Sequence, residues 1–296
     1  MKKLLIIGGS QFIGKSFVNY FGLYKKFKDL KIIIISRSWK FKKKINNNLI
    51  VINKDFLHIK NLPECDYILY CLRSSSLKND NIFFKNFVEK ISRLNYRPKI
   101  IFTSSGVVYG LNNKKQKIDE RQMINSHNIN ELENYKEKWY FQKSNLEKKF
   151  FELSKKNYKI IILRMFSFIG PSIVGQDYVP KIFLERIINQ RKIVINGPIN
   201  TFRSYLHEKD MVEWIIKIFK KFNKGFEIFN FGSEKAIRIY DLAIKMMGKN
   251  KKKNIILLNK SKRLDYYVPR TVKLKKQFDL KEKITLDKAI INLFKQ

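Results

Sequence analysis

The 296-residue sequence has only two cysteines, Cys65 and Cys71, and this scarcity limits the class of protein. Two cysteines are too few for a disulfide framework in a chain of this length, and their spacing is not typical of metal binding. We therefore expect a reduced, cytoplasmic setting and no metal site.

Long apolar runs are also missing. No apolar stretch reaches the roughly 20 residues that a membrane-spanning helix requires, so no membrane segment is expected. The apolar run Leu4–Ile7 is too short for a signal peptide and ends at a pair of glycines. This run fits a buried strand better than a targeting segment.

Acidic residues are few, with 25 Asp and Glu against 62 Lys and Arg, which gives a formal net charge of +37. The lysines are spread along the chain, and only Phe41–Lys44 and Lys251–Lys253 form short clusters. Dispersed lysines are typical of a solvated surface, so nucleic-acid binding is not expected. The positive field would still attract anionic substrates. A non-catalytic protein that binds RNA or another polyanion stays open as an alternative class.

The first half of the chain alternates between apolar runs and amphipathic stretches. Continuous Ile, Val, Leu and Tyr runs are typical of strands buried on both faces of a parallel sheet. The predicted strands are Lys3–Ile7, Lys31–Ser36, Leu49–Ile52, Tyr67–Cys71, Lys99–Ser105 and Tyr158–Arg164. The predicted helices are Gly14–Tyr24, Asn81–Leu94 and Glu131–Ser154. This alternation predicts an α/β fold, a Rossmann-like doubly wound parallel sheet.

After Pro171 the elements become shorter and are separated by Gly-Pro pairs. We predict a dinucleotide-binding domain over residues 1–170 and a smaller mixed α/β substrate-binding domain over residues 171–296. Within the latter, a segment of about residues 206–232 is expected to pack back on the sheet.

A glycine-rich turn follows the first strand and opens the first helix. Gly8 permits the tight bend, and Gly14 allows close packing of helix on sheet. The helix N-terminus would then present N–H groups and partial positive charge to a pyrophosphate. Gln11 stands where the usual dinucleotide fingerprint has its middle glycine, so its side chain should crowd the pyrophosphate. The predicted phosphate-binding residues are Gly8, Ser10, Gln11, Phe12, Ile13 and Gly14.

The end of the second strand favours NADP as the cofactor, although NAD stays possible. Ser36 and Arg37 stand where an acidic residue would bind the adenosine hydroxyls of NAD. An arginine can instead pair with a 2′-phosphate, with serine hydroxyls donating hydrogen bonds. Asp55 is a candidate acceptor for the adenine amino group. The residues that follow the fourth strand complete the predicted cofactor set: Cys71, Leu72 and Arg73.

Several later segments, together with the glycine-rich turn, carry a family resemblance. They are Phe102–Gly110, Trp139–Glu147, Leu163–Pro171, Arg203–Asp210 and Asn230–Ser233. In this order they resemble the extended short-chain dehydrogenases/reductases, specifically the NAD(P)-dependent nucleotide-sugar epimerases and dehydratases. The resemblance covers nearly the whole chain and is specific for the family, not for the reaction.

The resemblance implies a catalytic tyrosine and a lysine four residues later on one helix, beside a hydroxyl residue that ends the fifth strand. Ser105 matches the hydroxyl residue and Lys143 matches the lysine. Four residues before Lys143, however, stands Trp139, and an indole cannot donate this proton. Tyr140 is adjacent and could serve through i,i+3 geometry. Alternatively, Tyr140 points elsewhere and the ordinary acid/base chemistry is lost.

The resemblance also bears on the reaction. Family dehydratases carry an Asp-Glu pair directly after the hydroxyl residue, whereas this chain has Gly106 and Val107, so a 4,6-dehydratase is disfavoured. Arg37 favours net reduction of a 4-keto-sugar by exchangeable NADPH over epimerisation with tightly bound NAD. A nucleotide-sugar substrate is expected at Ser105, Val107, Ser167 and Arg203, with Arg203 holding its diphosphate. Relatives commonly form homodimers through the lysine-bearing helix and the helix before it.

Overall fold

The computed structural model of the protein describes residues 1–21, 29–39, 48–122, 134–173, 178–248 and 254–295. The predicted basic clusters Phe41–Lys44 and Lys251–Lys253 lie outside these residues. The strands are β1 Lys2–Ile7, β2 Leu30–Ser36, β3 Leu49–Asn53, β4 Tyr67–Tyr70, β5 Lys99–Ser105, β6 Ile160–Met165, β7 Ser167–Ile169, β8 Ile193–Ile195, β9 Asn200–His207, β10 Phe226–Phe231, β11 Ala236–Arg238, β12 Ile255–Leu257 and β13 Leu264–Tyr267. The helices are α1 Phe12–Phe21, α2 Leu77–Ser92, α3 Asn134–Ser154, α4 Val179–Ile188, α5 Glu208–Lys221, α6 Ile239–Met247, α7 Val272–Phe278 and α8 Leu286–Phe294.

Seven of the described strands form the main sheet, in the order β10-β6-β5-β4-β1-β2-β3. The strands β1 to β5 pair in parallel, with Ile6 of β1 opposite Ile34 of β2 and Leu69 of β4. The order 3-2-1-4-5-6 is that of a doubly wound Rossmann sheet, so the predicted fold class is confirmed. In such sheets the strand order reverses between β1 and β4, because the chain adds strands first on one side of β1 and then on the other. Ligands bind at this point, beyond the carboxyl ends of the strands.

The helix beginnings show how local hydrogen bonds set element boundaries. The helix α1 begins at Phe12, two residues before the predicted start, so it includes Gly14 in its first turn. The helix α2 begins at Leu77, four residues before the predicted start, because the Ser76 hydroxyl accepts a hydrogen bond from the backbone N–H of Asn79 at 3.2 Å. A serine in this position satisfies one of the unpaired N–H groups of the first helical turn.

The chain forms two compact units that interleave along the sequence. The first comprises Met1–Val108, Asn134–Arg164 and Val212–Phe229, and the second comprises Tyr109–Glu133, Met165–Met211 and Asn230–Gln296. The sequence predicts one boundary at residue 170, with about residues 206–232 packing back on the sheet, whereas each compact unit consists of three separate segments. Hydrophobic patterning identifies elements but not their spatial order, which explains the difference.

Aromatic packing forms the core of the first unit on one face of the main sheet. Phe102 of β5 stacks on Phe150 of α3 with ring centroids 4.6 Å apart. Tyr70 of β4 meets Phe87 of α2 edge-on at 4.9 Å and Phe150 at 5.3 Å. These buried rings hold α2 and α3 against β4 and β5, and aromatic pairs of this kind add to the gain from burial itself.

The second unit is built around β9. This strand pairs with β11 in the antiparallel sense and with β7 and β13 in the parallel sense, while β8 and β12 form a separate two-stranded sheet. Its core contains Phe183 of α4, Leu242 of α6 and Leu293 of α8, all buried. Throughout the described segments of both units, no helix combines the length and the apolar character that crossing a membrane would require.

Candidate cofactor and active site

The glycine-rich turn between β1 and α1 is bent through Gly8, which has a φ of +88°. A Cβ atom at this position would lie 2.8 Å from the Cα atom of Leu72, so the chain that follows β4 runs directly against the turn. The backbone N–H of Cys71 donates to the carbonyl oxygen of Ile7 at 2.9 Å. The structure thus brings the predicted cofactor residues Cys71 and Leu72 together with the turn.

Gly14 lies in the first turn of α1, where a Cβ atom would come within 1.9 Å of the carbonyl oxygen of Gly9. Only glycine fits this position, because the clash would be with backbone and not with a movable side chain. The close approach aims the N-terminus of α1 at the bend, and its first N–H groups have no acceptor within the helix. Gln11 is exposed and Phe12 is buried. These features fit a dinucleotide pyrophosphate.

The carboxyl end of β2 carries the predicted adenosine-binding residues. Arg37 is exposed, and within the described part of the chain no acidic residue pairs with it. Ser36 is buried, and its hydroxyl has no hydrogen-bond partner among the described residues. Asp55 uses one carboxylate oxygen to accept the backbone N–H of Leu57 at 2.9 Å, which caps a short 3₁₀ turn.

Lys143 lies on the face of α3 that packs on β5. Its Nζ donates to the carbonyl oxygen of Thr103 at 2.9 Å and lies 5.0 Å from the centre of the Phe102 ring. Burial lowers the pKa of Lys143 to about 8, while the carboxylate of Asp80 opposes this change. The lysine ammonium therefore stands at the sheet edge that also carries the glycine-rich turn.

Trp139 and Tyr140 precede Lys143 by four and three residues on α3. Successive helical residues are rotated by about 100°, so these two side chains leave the helix on opposite sides of Lys143. Trp139 faces the end of β4, where the guanidinium of Arg73 lies 4.1 Å from the centre of its ring. Tyr140 is 8% exposed, and its ring meets Phe141 edge-on at 5.3 Å. Gln142, by contrast, faces α2. Tyr140 thus lies beside Lys143, on the side away from α2.

The next turn of α3 is anchored by an ion pair that the sequence analysis did not identify. The carboxylate of Glu147 accepts hydrogen bonds from two guanidinium nitrogens of Arg164 in β6, with Nη2 2.7 Å from Oε2. It also accepts a hydrogen bond from the Ser104 hydroxyl at 2.5 Å. Both charged side chains are buried, and breaking such a pair costs about 3–5 kcal/mol. This anchor fixes the register of Lys143 against β5.

Ser105, the residue after Ser104, ends β5, and its hydroxyl oxygen accepts a hydrogen bond from the backbone N–H of Val107 at 3.3 Å.

The remaining predicted substrate residues belong to the second unit. Ser167 begins β7. Arg203 in β9 forms a two-pronged ion pair with Asp265 of β13, with Nη1–Oδ1 and Nη2–Oδ2 distances of 3.0 and 2.7 Å. The guanidinium is therefore already neutralised within its own unit, and a substrate diphosphate would have to share it with Asp265. Ser105 and Val107 belong to the first unit.

Comparison with known proteins identifies the family. The profile of the NAD-dependent epimerase/dehydratase family matches residues 4–232, which include the glycine-rich turn, Ser105 and Lys143. The chain belongs to this family. The resemblance predicted from the motif segments is thereby confirmed.

Individual relatives agree with this placement. A dTDP-D-glucose 4,6-dehydratase from Dictyostelium discoideum is 27% identical in an alignment of 278 residues that covers 84% of this chain. The chain spans 62% of that relative's length. Among solved structures, dTDP-glucose 4,6-dehydratase from Bacillus anthracis has a TM-score of 0.81 at 18% identity, covering 100% of this chain and 96% of its own. UDP-glucose 4-epimerase from Thermotoga maritima has a TM-score of 0.78 at 18% identity, covering 99% and 97%. These structures share the fold.

Proposed function

We propose that the protein is an NADPH-dependent oxidoreductase that reduces a 4-keto group on the sugar of a nucleotide-sugar. The observation that carries the proposal is the position of Lys143, whose Nζ is fixed 2.9 Å from the carbonyl oxygen of Thr103 at the edge of the sheet that holds the glycine-rich turn. A half-buried amine at the sheet edge that carries a dinucleotide turn is suited to hold a nicotinamide ribose and to stabilise negative charge. The two similar solved structures described above are named as enzymes that act on nucleotide-sugars, which supports the substrate class.

In this proposal the glycine-rich turn of the first unit would hold an NADP molecule. The turn at Gly8 and the N-terminus of α1 would hold the pyrophosphate. Arg37 would pair with the 2′-phosphate, and the buried Ser36 hydroxyl retains its hydrogen-bonding capacity for that end of the nucleotide. Lys143 would hold the nicotinamide ribose. When bound, NADPH supplies a hydride to the carbonyl carbon of the sugar.

The chain's own residues would bind the carbonyl oxygen of the substrate and supply the proton that this oxygen gains. Ser105 would donate a hydrogen bond to the carbonyl oxygen of the substrate. Tyr140 would give its phenolic proton to that oxygen as the alcohol forms, and solvent would restore the proton afterwards. The ammonium of Lys143, one turn away on α3, would stabilise the negative charge that Tyr140 carries in the meantime. Each group then touches the substrate or a group that does.

Dehydration is the reaction of two relatives by name, but the two residues that follow Ser105 in this chain are not suited to it. Elimination of water requires side chains that move protons beside the reacting sugar. Gly106 and Val107 form the start of the 3₁₀ turn that follows β5, and neither carries an ionisable group. This supports reduction, with 4-epimerisation by tightly bound NAD as the second candidate, since two similar structures are named as 4-epimerases.

The cofactor preference gives a direct test. Replacing Arg37 with alanine should weaken NADPH binding by about 10- to 100-fold, because one charge-assisted pair with the 2′-phosphate is lost. NADH binding should stay unchanged. Isothermal titration calorimetry of both cofactors on both proteins measures the difference.

The matched control for this test is Arg97→Ala, because Arg97 is also exposed in the first unit but lies just before the amino end of β5. Its affinity for NADPH should equal that of the unaltered protein. Tight NADH binding that is insensitive to Arg37 would favour the 4-epimerase, and no binding of either cofactor would exclude both enzymes.

We further propose that the chain forms homodimers through α2 and α3. Both helices present large apolar side chains to solvent: Leu77 and Ile82 on α2, and Phe141 and Phe151 on α3, each 40–50% exposed. Exposed apolar residues that follow two adjacent helices are typical of an association surface. The family resemblance assigns self-association to these two helices.

A further inference from the structure

A buried carboxylate on α2 takes no part in the mechanism described so far. Asp80 lies in the first turn of α2 and is 5% exposed. Its Oδ1 accepts the hydroxyl of Ser74 at 2.7 Å, and its Oδ2 accepts the side-chain amide of Gln142 at 2.7 Å. Within the described residues, Asp80 forms no ion pair.

The two hydrogen-bond donors to Asp80 are neutral, so they leave its charge uncompensated. A buried carboxylate without a counter-charge is costly, and the chain would be expected to replace it unless a cation stands close by. Each donor is the chain neighbour of such a cation. Ser74 follows Arg73, and Gln142 precedes Lys143.

Charged and titratable groups surround Lys143 from every element packed against it. Among the described residues they are Asp80 on α2, Cys71 and Arg73 after β4, and Tyr140 and Glu147 on α3 itself, with Glu147 paired with Arg164 of β6. Tyr70 in β4 lies near Asp80. The Glu147 carboxylate already serves Arg164 and Ser104. The carboxylate of Asp80 is committed only to neutral donors and therefore acts on Lys143 with its full charge. It raises the pKa of Lys143, whereas burial and the guanidinium of Arg73 lower it.

We propose that Asp80, held by Ser74 and Gln142, is the buried counter-charge that keeps Lys143 an ammonium at neutral pH. Asp80 is then a positioning residue: it acts on the reaction through Lys143 and does not touch the substrate. Its bond to Gln142 also holds α3 in the register that places Lys143 on Thr103. This inference rests on the role that the proposed function gives to Lys143.

The test is the reactivity of the Lys143 amine in the whole protein. Trace acetylation with acetic anhydride, followed by mass spectrometry of the peptide that contains Lys143, reports the fraction of neutral amine as a function of pH. Asp80→Asn preserves size and hydrogen bonding but removes the charge. We expect acetylation of Lys143 at pH 6 to rise about tenfold, because Asp80 raises the pKa of Lys143 and the loss of its charge favours the neutral amine.

The matched control is Glu89→Gln, which removes an exposed carboxylate from the same helix, where Glu89 pairs with Arg93. Its acetylation profile should match that of the unaltered protein. Ser74→Ala, which removes one donor from Asp80, should give a smaller change in the same direction and serves as the second variant if Asp80→Asn fails to fold. Asp80→Glu, which keeps the negative charge, should keep the acetylation profile of the unaltered protein.

An unchanged acetylation profile in folded Asp80→Asn or Ser74→Ala protein would overturn the proposal and leave Asp80 with a purely structural role. The measurement needs no substrate, so it can succeed even if the proposed reduction is wrong. If reduction does occur, the loss of kcat at alkaline pH should begin at lower pH in Asp80→Asn than in the unaltered enzyme.

Discussion

Replacing Lys143 with methionine should lower kcat/KM for keto-sugar reduction by about two to three orders of magnitude. The substitution removes the ammonium that holds the nicotinamide ribose and stabilises negative charge on Tyr140, and groups of this kind contribute roughly 10²–10⁴-fold. Steady-state oxidation of NADPH, followed by absorbance, measures the loss.

The fold should survive this change. Methionine is close to lysine in volume, and replacing a partly desolvated charge with an apolar side chain is often neutral or stabilising. The melting temperature of Lys143→Met should therefore equal or exceed that of the unaltered protein. A variant that melts normally and retains full activity would exclude Lys143 from the mechanism.

The pH dependence follows from the same residue. Burial lowers the pKa of Lys143 to about 8, so turnover that requires the ammonium should fall as the pH rises through this value. The contribution of Lys143 to the free energy of unfolding should instead increase as the pH rises. The pKa is lower in the folded state than in the unfolded chain, so between about pH 8 and 10.5 the unfolded chain binds more protons, and the contribution of Lys143 to stability rises with pH. Loss of activity above pH 8 therefore cannot be assigned to unfolding through this group.

Replacing Tyr140 with phenylalanine should lower kcat by about 10²–10⁴-fold, because the phenolic proton has no other source on that side of Lys143 in the proposed mechanism. The ring and its contact with Phe141 are kept, so the change isolates the hydroxyl. Single-turnover oxidation of bound NADPH separates this chemical step from product release.

Trp139→Phe is the matched variant one residue earlier on α3. It keeps an aromatic ring beneath the guanidinium of Arg73 and removes no group that the mechanism uses. We expect kcat to change by less than about threefold. Equal activity of Tyr140→Phe and the unaltered protein would show that Tyr140 is only part of the packed face of α3.

Much of the fold could be predicted because its determinants are local. The Ile-rich runs of β1 and β2 are buried on both faces, and the glycine-rich turn follows β1 with the spacing of a dinucleotide site. The sequence also predicts that about residues 206–232 pack back on the sheet, and Val212–Phe229 belongs to the first unit. The assignment of the segment that begins at Tyr109 to the second unit could not be predicted, because it depends on contacts such as the bridge between Ile118 and Pro269, which periodicity does not report.

The candidate site shows the same division. Gly8, Gly14, Ser105 and Lys143 belong to short motifs and could be located from the sequence. The Asp80–Gln142 bond joins residues 62 positions apart, so no local pattern reveals it. Arg164 did leave a signal, because an arginine within the buried run of β6 requires a partner, which the structure identifies as Glu147. The pairing of Arg203 with Asp265 left no such signal in the sequence.

The central claim is that the chain transfers a hydride from NADPH to a nucleotide-sugar. The most direct measurement uses NADPH deuterated at C4 of the nicotinamide, prepared separately on each face, with a thymidine or uridine diphosphate 4-keto-hexose. Mass spectrometry and NMR of the product should show one deuterium at the sugar C4 from one face only. A product without deuterium, or no product from either sugar while NADPH binds, would contradict the account.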